Sequence, residues 1–114
     1  MIYQHKELAN GKWNKLNIFE QMANVGSEVE RAILWREKSN VEYSKKAFER
    51  ALELLIFTIN DPKNNDRLKE IVRVYEVLAD YFFGENNFSS TDTLWRKYFY
   101  SFTYASRVKN HTSY

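Results

Sequence analysis

The sequence predicts an all-α fold, an antiparallel up-down-up-down four-helix bundle that takes residues 1–114 as a single domain. Three observations predict it. Apolar residues recur at steps of three and four through four separate segments, the phase of a helix with one buried face. One Pro and three Gly are too few breakers for a fold of many short strands. The links between segments run about three to eight residues, and links that short make successive helices antiparallel neighbours.

Residues 1–16 read as a polar N-terminal arm in which Lys6, Lys12 and Lys15 outnumber Glu7. The first helix is expected over about 17–38. Asn17 followed by Glu20 is a capping-box start. Phe19, Met22, Gly26, Val29 and Ile33 mark its buried stripe, widened by Ile18, Val25 and Ala32. Gly26 sits on that stripe in mid-helix, where Gly costs ~1 kcal/mol against Ala. Close approach of a neighbouring helix is the expected compensation.

The second helix, about 40–60, is expected to start at a Ser39/Glu42 capping box and to stop at Asn60-Asp61-Pro62. Its buried face is Ala47, Phe48, Ala51, Leu52, Leu55 and Ile59. The third, about 64–83, buries Leu68, Ile71, Val72, Tyr75, Leu78, Ala79 and Phe82. Lys69, Arg73, Glu76 and Asp80 line its opposite side, and Gly84 is placed as the C′ glycine. The fourth, about 90–109, takes Ser89 or Ser90 as N-cap and sets Asp92 at the positive end of the helix dipole. Trp95, Tyr98, Phe99, Phe102 and Ala105 form its core stripe.

Several chemistries are excluded. The chain has no Cys, so disulfides and thiolate metal sites are absent, which suits a reducing cytoplasm. A di-iron bundle needs Glu-x-x-His pairs, and the two histidines, His5 and His111, lie near the ends without that spacing. Glu28-x-Glu30 and Glu76-x-x-x-Asp80 do not match the magnesium-binding pattern of all-α pyrophosphohydrolases. "NVGSE" is no phosphate-cradling loop. Neither a metal, a cofactor nor a small-molecule substrate is expected. No apolar run is longer than "LLIF", far short of the ~20 residues of a membrane span, and the polar N-terminus does not read as a signal peptide. The mid-helix charges Glu20, Glu28, Glu30, Arg31, Arg50, Glu53, Arg73 and Glu76 are expected to face water rather than to form a buried network.

What remains is the aromatic segment "WRKYFYSFTYASR". Lys97, Tyr100, Tyr104 and Arg107 fall off the core stripe and share another face, with Arg96 and Lys109 adding charge. From Ser90 to Asn110 four cations meet a single carboxylate, against a net charge of only +2 for the chain. Tyr, Arg and Lys together serve base stacking with phosphate contact and equally serve protein hot spots.

The runs "EQMANVGSEVERAI", "EYSKKAFERALEL", "DPKNNDRLKEI" and "WRKYFYSFTYASR" resemble a family of short four-helix proteins from small-genome bacteria and archaea, over about residues 13–107. That resemblance carries no functional residues across. In layout alone the chain is similar to the four-helix-bundle accessory proteins of diversity-generating retroelements, which form ring-like oligomers and bind a reverse transcriptase and its RNA. The expected function is a cytoplasmic, non-catalytic accessory or scaffold protein that self-associates and binds protein, RNA or DNA. The rivals are a small HEPN-like ribonuclease or toxin–antitoxin component, with Arg107 and His111 as its candidate pair, and a purely structural dimer.

Overall fold

A computed structural model describes the backbone of residues 11–112 and the side chains of residues 11–108. Four α-helices carry the fold: α1 (Ile18–Glu37), α2 (Val41–Ile59), α3 (Leu68–Phe83) and α4 (Asp92–Thr112). Two 3-10 turns, Lys12–Lys15 and Pro62–Arg67, precede α1 and α3. α1 packs against both α2 and α4, and α2 packs against α3. No helix among the described residues is long and apolar enough to cross a membrane.

The helix starts follow local chemistry. Asn17 and Glu20 close a reciprocal capping box at α1, with bonds of 2.9 and 3.1 Å. At α2 the cap is Asn40, whose side chain accepts from the Tyr43 N–H at 3.0 Å, rather than the expected Ser39. Ser39 takes the left-handed conformation instead, at φ 61°. At α4 the cap is Thr91, whose Oγ1 accepts from the Leu94 N–H, rather than Ser89 or Ser90. Gly84 closes α3 in an extended conformation (φ −107°), and the left-handed turns fall at Asn86 and Ser89. Asp80, expected on the solvated face of α3, anchors that loop by accepting the Asn87 and Phe88 N–H groups.

The core joins Met22, Val25, Val29 and Ile33 of α1 to Phe48, Leu54 and Leu55 of α2, Ile71 and Leu78 of α3, and Trp95, Phe99 and Phe102 of α4. Val74 and Leu54 are buried although the expected stripes omitted them, and Leu68 is exposed although its stripe included it. Gly26 lies under Phe99. A Cβ at position 26 would stand 2.6 Å from the Phe99 Cβ, an atom fixed to the α4 backbone that cannot swing aside. The missing side chain therefore sets the α1–α4 distance.

Trp13 belongs to the core, not to an arm. Its indole N–H donates to Thr58 Oγ1 at 3.0 Å, and Thr58 donates in turn to the Leu54 carbonyl. Gln21 donates to the Trp13 carbonyl and to Asp61, while Asn64 donates to Gln21 and to the Thr58 carbonyl. Lys63 closes the set by binding the Asp61 carboxylate and the Asn14 carbonyl. This buried polar plug ties both 3-10 turns to one end of α1 and α2. Its members satisfy one another, which spares them the ~1–3 kcal/mol of an unpaired buried group.

Two further polar contacts join helices. Glu28, expected with its neighbours to be solvated, is only 7% exposed. It accepts from Arg31 at 2.8 Å and from Arg50 of α2 at 3.0 Å. Arg73 and Glu76 do lie in solvent, 3.8 Å apart. At the other end Asp92 accepts from both Arg36 of α1 and Tyr81 of α3, clamping the start of α4 to two helices. Burial pushes the Asp61 and Asp92 carboxyls up, but the bonds from Lys63 and Gln21, and from Arg36 and Tyr81, outweigh it and hold both below the usual carboxylate range.

Two outcomes follow. Gly26→Ala in a helix interior would ordinarily gain ~1 kcal/mol; here overpacking against Phe99, worth ~1–3 kcal/mol, should reverse the sign, and urea unfolding reads it directly. Both aspartates have folded pKa values below their unfolded value of about 3.9, so their stabilisation is complete above that pH and lost as pH falls through the folded values. Unfolding free energy should hold level from neutral pH down to about 5 and then fall. Asp61→Asn should flatten part of that fall.

Candidate nucleic-acid interface on the fourth helix

α4 presents two unlike faces because its aromatic residues fall in two helical phases. Trp95, Phe99 and Phe102 point into the core, with Tyr98 half-buried beside them. Trp95 stacks on Phe99 with ring centres 5.7 Å apart, and Tyr98 meets Phe102 edge-on. The Tyr98 hydroxyl donates to Glu70 at 3.2 Å; burial first, and then the Glu70 charge, push that phenol well above its ordinary range. The Trp95 indole N–H is buried without a hydrogen-bond partner among the described residues.

The outer face differs in every respect. Tyr100 is 63% and Tyr104 60% exposed, one helical turn apart. Lys97 and Arg107 lie exposed at either end of the pair. No side-chain hydrogen bond or ion pair joins any of the four to another described residue. From Thr93 to Thr112 the helix carries no carboxylate, so nothing on its own surface offsets these cations. Such a face can stack planar groups and neutralise anions at once.

Arg96 behaves differently from its neighbour Lys97. Its guanidinium grips Glu30 of α1 through bonds of 2.8 and 3.0 Å and reaches Glu37 at 3.3 Å. It is thus engaged between helices, although the pair stays open to solvent, with the side chains 39% and 43% exposed. The side chain of Lys109 lies outside the described residues, as does that of His111, so the expected Arg107/His111 pair has no geometry to describe. Among the described residues no group of three or more His, Cys, Asp or Glu is gathered as a metal site would require.

Two grooves flank α4. One, of about 330 Å³, follows the α1–α4 seam; Gly26 and Phe99 are among its lining residues, with Ser27, Glu30, Arg96, Tyr100 and Thr103 at its sides. The other, of about 230 Å³, lies between α3 and α4 and is lined by Val74, Val77, Leu94, Trp95 and Tyr98, with Arg73 at its edge. The first was not legible in the sequence, because Glu30 and Arg96 stand 66 positions apart. Its sole trace was the mid-helix Gly26 on an apolar stripe. In comparisons with known proteins, no family model, no curated protein and no solved structure matches the chain.

The two phases predict opposite costs. Tyr100→Ala and Tyr104→Ala should leave stability within about 0.5 kcal/mol, as surface changes do, whereas Phe99→Ala should lose roughly 3–5 kcal/mol. Thermal or urea unfolding of the three variants distinguishes a surface kept for a partner from one kept for the fold.

Proposed function

We propose that the protein is a non-catalytic, cytoplasmic helical-bundle accessory protein that binds single-stranded nucleic acid along the Lys97/Tyr100/Tyr104/Arg107 face of α4. One observation carries this reading: two exposed tyrosine rings stand one turn apart between two cations that no described carboxylate pairs. Successive bases can stack on the rings, each worth ~1–3 kcal/mol, while Lys97 and Arg107 meet phosphates. Arg96 and its two glutamates lie beside this face and hold α4 in place.

The reading includes an antiparallel up-down-up-down arrangement of the four helices, which the short connections favour, and self-association, for which exposed Leu94 beside the α3–α4 groove is the natural contact. A role in a reverse-transcriptase or other nucleic-acid-processing system belongs to the same proposal, as does membership of the short four-helix family named above.

The test is binding of a fluorescent single strand as salt is raised. Lys97→Ala/Arg107→Ala should weaken binding and flatten the slope of log K against log salt by about 1.4, the value for two lost single-strand phosphate contacts. Tyr100→Ala/Tyr104→Ala should weaken binding at every salt concentration with no change of slope. Absence of binding at low salt would remove the proposal. Solution mass measured on the native chain and on Leu94→Arg tests self-association separately.

A further inference from the structure

We infer that the α1–α4 groove is a guanine-selective base slot on the single strand. The inference rests on the α4 face binding that strand, and it adds which base enters. Tyr100 belongs to both the stacking face and the groove, so a base laid on its ring stands at the groove's mouth. The volume of about 330 Å³ exceeds that of a purine. Gly26 and Phe99, in close contact, are among the residues that line the groove, and Ser27 and Thr103 border the space.

The chemistry at one end selects the base. Glu30 offers two carboxylate oxygens, and the Arg96 guanidinium lies against them at 2.8–3.2 Å. Arg96 and Tyr100 are four residues apart on α4, so they face the same side of the helix. Both oxygens accept from Arg96 in the closed pair; with Arg96 turned towards Glu37 they would offer two acceptors beside a donor. Guanine's Watson–Crick edge presents the complement, adjacent N2–H and N1–H donors beside the O6 acceptor. Adenine presents one donor and one acceptor there, cytosine one donor and two acceptors, and uracil one donor between two acceptors. Only guanine can fill both oxygens of a carboxylate from this edge, and reading of such edges with stacking on an aromatic ring is how unpaired bases are recognised.

The ion pair can open to admit the base. Arg96 already reaches a second carboxylate, Glu37, at 3.3 Å. When guanine takes the Glu30 oxygens, Arg96 keeps an ionic partner and directs a remaining N–H to O6. Both side chains are about two-fifths exposed, so neither must be dug out of the core. Lys97 and Arg107 then meet the phosphates on either side.

The experiment measures binding of short uridine strands that carry one central guanosine, inosine or adenosine. Guanosine should bind on the order of tenfold more tightly than adenosine, the discrimination of one good bidentate contact. Inosine, which lacks the N2 amino group, should fall between them. Glu30→Gln, which replaces one acceptor with a donor, should erase the ranking. Ser27→Trp should erase it too by filling the groove from an exposed position; unchanged thermal melting of that variant shows the fold is kept. Equal binding of all three strands by the native protein would overturn the slot while leaving the α4 face intact. No binding of any strand would overturn both. Guanosine monophosphate competing at the same concentration as the strand would assign the slot to a free nucleotide; competition only at much higher concentration assigns it to the strand.

Discussion

The contact between Gly26 and Phe99 sets the terms for everything built on α4. Helix association at ordinary spacing leaves room for side chains on both partners. Here α1 supplies none at position 26, and the Phe99 Cβ comes to within a distance that any larger residue would forbid. Close approach carries Trp95, Phe99 and Phe102 into the core and turns Tyr100 and Tyr104 outward, because the phase of a helix is fixed once one face is seated. The outward rings are therefore a consequence of the inward ones. The seam also brings Arg96 within reach of Glu30, making a groove that holds an ion pair at one end and a free ring at its side.

α1 packs against both α2 and α4 and carries polar contacts to each. Towards α2 it offers Glu28 to Arg50, and the Ala32 carbonyl accepts from the buried Ser44 hydroxyl at 2.7 Å. Towards α4 it offers Gly26, Glu30 and Arg36. At its start Gln21 enters the polar plug that seats Trp13 and the Pro62–Arg67 turn. Each of these polar groups is specific in position where apolar packing alone would tolerate sliding. Glu28 and Asp61 leave little freedom of register, since displacing either would strand a buried charge, at a cost above that of any surface ion pair. The outer face of α4 thus rests on a rigid support, and under the proposed function such a support would lower the ordering cost of engaging a partner.

Much of this was legible in the sequence and some was not, for physical reasons. Helix positions and the division of α4 into core and outer rings follow from the 3.6-residue period, which a single strand of sequence contains. Caps were displaced by one residue at α2 and α4 because Ser39/Asn40 and Ser90/Thr91 are adjacent residues of equal capping chemistry, and backbone geometry decides between them. Glu28 read as solvated because nothing local distinguishes it from Glu30; only the arrival of Arg50 makes its burial tolerable. The plug joins Trp13 to Thr58 and Gln21 to Asp61, separations of 45 and 40 residues that no local pattern encodes. Arg96 read as one more outer cation alongside Lys97, although one pairs with α1 and the other faces solvent. Adjacent positions on a helix point about 100° apart, and which of two neighbouring cations meets a carboxylate depends on a helix far away in sequence.

The central claim is that nucleic acid lies on the outer rings of α4. Photocrosslinking with a single strand carrying 5-iodouridine, followed by mass-spectrometric mapping of the joined peptide, tests it most directly, since the label reacts with aromatic rings on which it stacks. The account predicts crosslinks at Tyr100 and Tyr104. Crosslinks confined to rings away from α4, such as Tyr43 or Phe88, would contradict it.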